Sequence, residues 1–150
     1  MLSTRVVQLI EDHAEQITKS VLAAIRKDPR LPLFGRLANT ELLRRFEDVC
    51  QNLGRWLTAK DEAVIEVRYE LLGRERFEED IPLHECVLAA QIFKRQLLAF
   101  ARRQAIDQSV LEIYSLVELE RLLGGFFDQV IYHIVQGYER ALRDSVQQTA

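Results

Sequence analysis

Residues 71–97, LLGRERFEEDIPLHECVLAAQIFKRQL, decide the fold class. An acidic run, Glu78, Glu79 and Asp80, is followed by Ile81 and Pro82, and apolar residues then recur at steps of three and four. Proline suits the first position of a helix because its missing N–H has no partner to lose there. Pro82 therefore predicts a sharp restart, with a new helix beginning at that residue. A helix, a corner and a long apolar-striped helix are parts of a packed all-α domain.

The helix after the corner carries Leu83, Cys86, Val87, Ala90, Phe93, Leu97, Phe100 and Ala101 at helical spacing. It ends at Arg102 and Arg103, where cations suit the negative end of the helix dipole. Working back from the corner, Val64, Val67 and Leu71 predict the buried stripe of a preceding helix, opened by Thr58 and Asp61 as a variant capping box, with Gly73 weakening its last turns. Before that, Thr40 is expected to cap a helix striped by Leu42, Phe46, Val49, Leu53 and Trp56. The first helix, residues 3–27, carries Val6, Ile10, Ala14, Ile17, Val21 and Ile25 and closes at Asp28-Pro29. Leu31, Leu33 and Phe34 are expected to pin the loop that follows onto the core. Beyond Gln108 the chain reads as one long helix or as two meeting at Gly124-Gly125, since glycine pairs are a known cause of kinks.

The expected architecture is one all-α domain spanning residues 1–150, a bundle of five to six helices with no β-sheet. Apolar residues make up 48% of the chain and charged ones 29%, which is globular composition. Net charge is −3, and cations are interleaved with acids along the chain rather than clustered, which argues against nucleic acid as the partner. No run approaches ~20 apolar residues and none at the start resembles a secretory signal, so a cytoplasmic protein without a membrane segment is expected. Cys50 and Cys86 lie on apolar stripes and read as inert core thiols.

No constellation of residues carries recognisable chemistry. His13, His84 and His133 stand apart, no Glu-x-x-His pair occurs, and His84 and Cys86 point about 200° apart on a helix, an awkward arrangement for zinc. Serine nucleophile motifs, phosphate loops and zinc-hydrolase helices are absent. The expectation is a non-enzyme with no catalytic residues, no metal and no cofactor. Around residues 122–138 apolar residues occupy more than one helix face. Phe126, Phe127, Val130, Ile134 and Tyr138 are therefore candidates for a homodimer surface, with a helix wrapped by its own chain as the competing explanation. A second possibility is an apolar cavity near Trp56, Tyr69 and Phe93, binding a small apolar ligand or cofactor.

The strings IRKDPRLP (25–32), LGRWL (53–57), YELLGRER (69–76) with IPL (81–83), and GYE (137–139), in that order and spacing, resemble the N-terminal domain of the RsbT co-antagonist protein RsbRD family. The resemblance spans nearly the whole chain. It implies a sensory or regulatory module of bacterial stress and anti-sigma signalling, which acts on an unidentified signalling protein and is usually joined to an output domain; none is expected within these 150 residues. A more distant similarity to globin-like sensor modules implies a globin-like bundle. Those that bind haem place a histidine before the proline corner. Residues 73–77 here read Gly-Arg-Glu-Arg-Phe, so a globin-like module without haem is expected.

Overall fold

A computed structural model of the chain describes residues 4–58, 62–104 and 110–149. The fold is all-α. Among the described residues there are seven helices and no strand: α1 Thr4–Asp12, α2 Ala14–Lys27, α3 Asn39–Gln51, α4 Leu53–Thr58, α5 Glu62–Glu78, α6 Leu83–Gln104 and α7 Val110–Thr149. None is long and apolar enough to cross a membrane.

Two helices expected to be continuous are each broken once. At His13 the ring Nδ1 lies 2.8 Å from the Leu9 carbonyl, which can only accept, so Nδ1 carries the proton. At Asn52 the side-chain amide donates to the Asp48 carbonyl at 2.9 Å. The backbone leaves the helical region at both positions, with φ −109° and ψ 23° at His13 and φ −115° and ψ 25° at Asn52, while the His13 N–H still bonds the Leu9 carbonyl and the Asn52 N–H the Asp48 carbonyl. The last helix, by contrast, runs unbroken through Gly124-Gly125 for 40 residues.

The expected caps are also displaced. Helix α3 starts at Asn39, with Ala38 before it and no side-chain cap, so Thr40 lies inside the first turn. The Thr58 hydroxyl ends α4, donating to the Gly54 carbonyl at 2.7 Å; Asp61 lies outside the described residues. Between α2 and α3, Leu31 and Phe34 are buried as expected, and a 3-10 turn covers Phe34–Arg36.

The corner is a Schellman closure. Asp80 adopts a left-handed φ of 61°, the Ile81 N–H bonds the Arg76 carbonyl and the Asp80 N–H bonds the Phe77 carbonyl. Pro82 is the residue just before α6 rather than its first: its carbonyl accepts from the Cys86 N–H, and Leu83 opens the helix. Gly73 does not end α5, which continues to Glu78.

Helix α6 turns back along α7, with Arg102 bonded to Glu120 at one end and Phe93 packed on Phe127 further along. Helix α5 lies closest to α7. A Cβ added at Gly73 would stand 2.1 Å from the Ile134 carbonyl oxygen, and one at Gly137 would stand 2.0 Å from that of Glu70, so the two backbones meet at glycine on both sides. The face of α5 turned inward carries Ile65, Tyr69, Gly73 and Arg76. Val64, Val67 and Leu71, expected in the core, are 44%, 70% and 54% exposed. The helix has apolar residues on opposite sides, and contact with α7 through Gly73 selects the other one.

Candidate functional site

Phe126 and Phe127, adjacent on α7, point to different neighbours and join the helices into one core. Phe127 packs edge-on against Phe93 of α6, which meets Phe46 of α3 at 4.8 Å, while Phe126 contacts Trp56 of α4 and Tyr69 of α5. Edge-to-face pairs of this kind contribute about 0.5–1.5 kcal/mol beyond their buried area. Phe126, Phe127, Val130 and Ile134 are 2–5% exposed, and Tyr138 is half-buried with its hydroxyl donating to the Ile81 carbonyl at 2.7 Å. Four of the five residues expected to face a second copy thus lie in the core of a single chain, and Tyr138 packs against it. Any surface for a partner on α7 is made of other side chains.

An apolar cavity sits inside this ring cluster. Its walls include Phe46, Tyr69, Phe93, Phe126, Phe127 and Ile134, and it offers about 80 Å³ to the centres of water-sized atoms. Of the three residues expected to form such a cavity, Tyr69 and Phe93 line it. Trp56 does not; it is buried behind Phe126, with the Arg68 guanidinium 5.1 Å from its ring centre. Its Nε1 is a buried donor without a hydrogen-bond partner among the described residues. Arg45, Asp48 and Arg68, whose side chains are 27%, 35% and 41% exposed, mark the mouth.

Around the cavity the polar groups are nearly all engaged. Arg76, 2% exposed, directs Nη1 to Glu41 and Glu79 at 2.8 Å each and lies over the Phe34 ring. Arg45 bridges Glu41 and Glu75, and Arg68 pairs with Asp48 at 3.0 Å. Burial opposes ionisation of Glu41, but hydrogen bonds from Arg76 and Arg45 outweigh it and hold the carboxyl below its ordinary value. Glu85, also 2% exposed, accepts the Leu33 and Phe34 backbone N–H groups at 3.0 and 2.9 Å and so fixes the turn before α3 onto α6. Burial pushes the Tyr69 hydroxyl and the Cys86 thiol, both on the cavity wall, up to about 12, so each keeps its proton at neutral pH. Cys50 is free and buried like Cys86, and its thiol is likewise pushed up to about 12.

Sequence reasoning missed Arg76 because it stands in the charge-rich run 74–80, and Glu85 because an acid in the first turn of a helix is ordinarily exposed. Their burial depends on Glu41 and on the turn at Phe34, partners 35 and 51 residues away. A weak signal existed for Arg76, which follows Tyr69 by seven residues and Gly73 by three on the same side of the helix.

The outward side of α7 is the second feature. Ile113, Val117, Leu142 and Val146 are 46–60% exposed, and Ile131 and Val135 are half-covered. Val117, Gly124 and Ile131 recur every seven residues, which keeps them along one side of the helix. Among the described residues, a Cβ at Gly124 or Gly125 would meet nothing within 4 Å. Beyond Arg140 no described side chain of α7 is buried. Among the described residues no group of three His, Cys, Asp or Glu side chains is placed to hold a metal ion. Compared with protein-family models, curated proteins and solved structures, the chain matches none of them.

Proposed function

We propose that the chain is a non-enzymatic, cytoplasmic regulatory module of bacterial signalling, a globin-like helical domain that works as a homodimer and alters how a signalling protein is bound. A second copy sits on the outward side of α7, and the signal is a change in the packing of that helix. The observation that carries this is the glycine pair. Each glycine within a helix is less favourable than alanine by roughly 0.5–1 kcal/mol, and neither Gly124 nor Gly125 makes room for any described residue of its own chain. Room for the backbone of a neighbouring helix accounts for both. Val117 and Ile131, one heptad to either side of Gly124, supply the apolar contact. The similarity of residues 69–76, 81–83 and 137–139 to the RsbRD N-terminal family supports the signalling role.

Sedimentation equilibrium at micromolar concentration tests the dimer. The wild-type chain is expected to sediment as a dimer. Val117→Glu, which replaces a side chain 60% exposed in the single chain, is expected to sediment as a monomer with an unchanged helical circular-dichroism spectrum. A wild-type monomer at these concentrations overturns the proposal.

A further inference from the structure

We propose that the cavity among Tyr69, Phe93, Phe126 and Phe127 is a binding site for a small uncharged molecule, mainly apolar and bearing one hydrogen-bond acceptor, such as a short ketone. The proposal stands independently of the oligomeric state. Size sets the first limit. The roughly 80 Å³ available is about half of a cavity known to admit benzene, at ~150 Å³, and several times the ~10–15 Å³ that one water requires, so the body of the ligand is about four or five heavy atoms.

Polarity sets the second limit. The hydroxyl of Tyr69 makes no hydrogen bond with any described residue, although the residue is only 7% exposed. Its raised pKa, about 12, keeps it a donor. On the same wall Arg76 is 2% exposed and is paired through Nη1 alone, leaving Nε and Nη2 without a hydrogen bond among the described residues. A guanidinium has five N–H donors and no acceptor, so the unfilled capacity on this wall is for donation. An acceptor on the ligand would supply the Tyr69 hydroxyl with a partner inside the cavity, where no described residue offers one.

Charge sets the third. Arg45, Arg68 and Arg76 line the cavity, but Glu41, Glu75, Glu79 and Asp48 already pair with them, so three cations face four carboxylates. There is no surplus positive charge to hold an anion. A neutral carbonyl satisfies the Tyr69 donor without disturbing these pairs.

The test is a titration of the full chain followed by ¹H–¹⁵N NMR, with three probes: 2-butanone, xenon, which has no acceptor, and isobutyrate, which is charged. Expected are saturable shifts from 2-butanone confined to residues around the cavity, weaker saturable shifts from xenon at the same residues, and none from isobutyrate. Tyr69→Phe is expected to weaken 2-butanone binding about fivefold, the size of one net hydrogen bond, and to leave xenon binding unchanged. Ala89→Leu fills space on the cavity wall and is expected to abolish both. A wild-type chain that shows no saturable response to 2-butanone, because water alone fills the space, overturns the proposal. So does equal 2-butanone affinity in Tyr69→Phe, or tighter binding of isobutyrate than of 2-butanone.

Discussion

At the scale of the residue, the side chains that matter most are polar ones placed where apolar ones are the rule. Glu85 holds two backbone N–H groups of the Leu33–Phe34 turn. Removing it orphans both, so Glu85→Ala is expected to lower unfolding stability by about 2–4 kcal/mol, measured by urea denaturation, while Glu85→Gln, which keeps a carbonyl acceptor, loses less. Glu41 makes stability depend on pH. Its folded-state pKa lies below its ordinary value of 4.5, so its contribution is complete above that pH and is lost as pH falls through the lowered value. Melting temperature is therefore expected to fall as the solution is acidified below the ordinary value of 4.5 and through the lowered one. Glu41→Gln is expected to reduce the steepness of that fall, and an identical acid limb in the variant contradicts the assignment. Neither glutamate stands out in the sequence. Each lies at an ordinary place in the first turn of a helix, and only the fold brings Arg76 to one and the loop to the other.

At the scale of the element, glycine separates two kinds of helix contact. Gly73 and Gly137 each face backbone at 2.0–2.1 Å from an added Cβ, so no rotamer relieves the clash. Gly73→Ala and Gly137→Ala are each expected to destabilise the chain by about 1–3 kcal/mol or more in thermal denaturation, by forcing α5 and α7 apart. Gly124→Ala, where space is open, is expected to stabilise the single chain by about 0.5–1 kcal/mol. How far the elements were legible follows the same line. The stripe of α6 was readable because one face dominates: Cys86, Phe93, Leu97, Phe100 and Ala101 are all buried. Helix α5 was misread because Val64, Val67 and Leu71 on one side compete with Ile65, Tyr69 and Leu72 on the other, and periodicity alone ranks them equally. The breaks at His13 and Asn52 leave the apolar stripe intact, so no pattern marks them.

At the scale of the whole molecule, the chain is one bundle in which rings from five helices meet, with a 40-residue helix long enough, at about 60 Å, to pass well beyond its neighbours. The cavity was half legible: Tyr69 and Phe93 line it, but its position between α3 and α7 depends on contacts distant in sequence. The residues named for a second copy lie on the inward side of α7, because the larger aromatic residues of that helix are those that its own chain buries; the contact proposed here uses the outward side. The central claim is that two copies of α7 meet at Gly124. Oxidation of Gly124→Cys tests it most directly, since a disulfide requires Cα atoms within about 4.4–6.8 Å of each other. The native thiols, both buried and pushed up to about 12, leave the background low. The account predicts a covalent dimer on a non-reducing gel for Gly124→Cys and a monomer for Gln129→Cys, about 140° round the helix. A Gly124→Cys chain that stays monomeric, or cross-links no faster than Gln129→Cys, contradicts it.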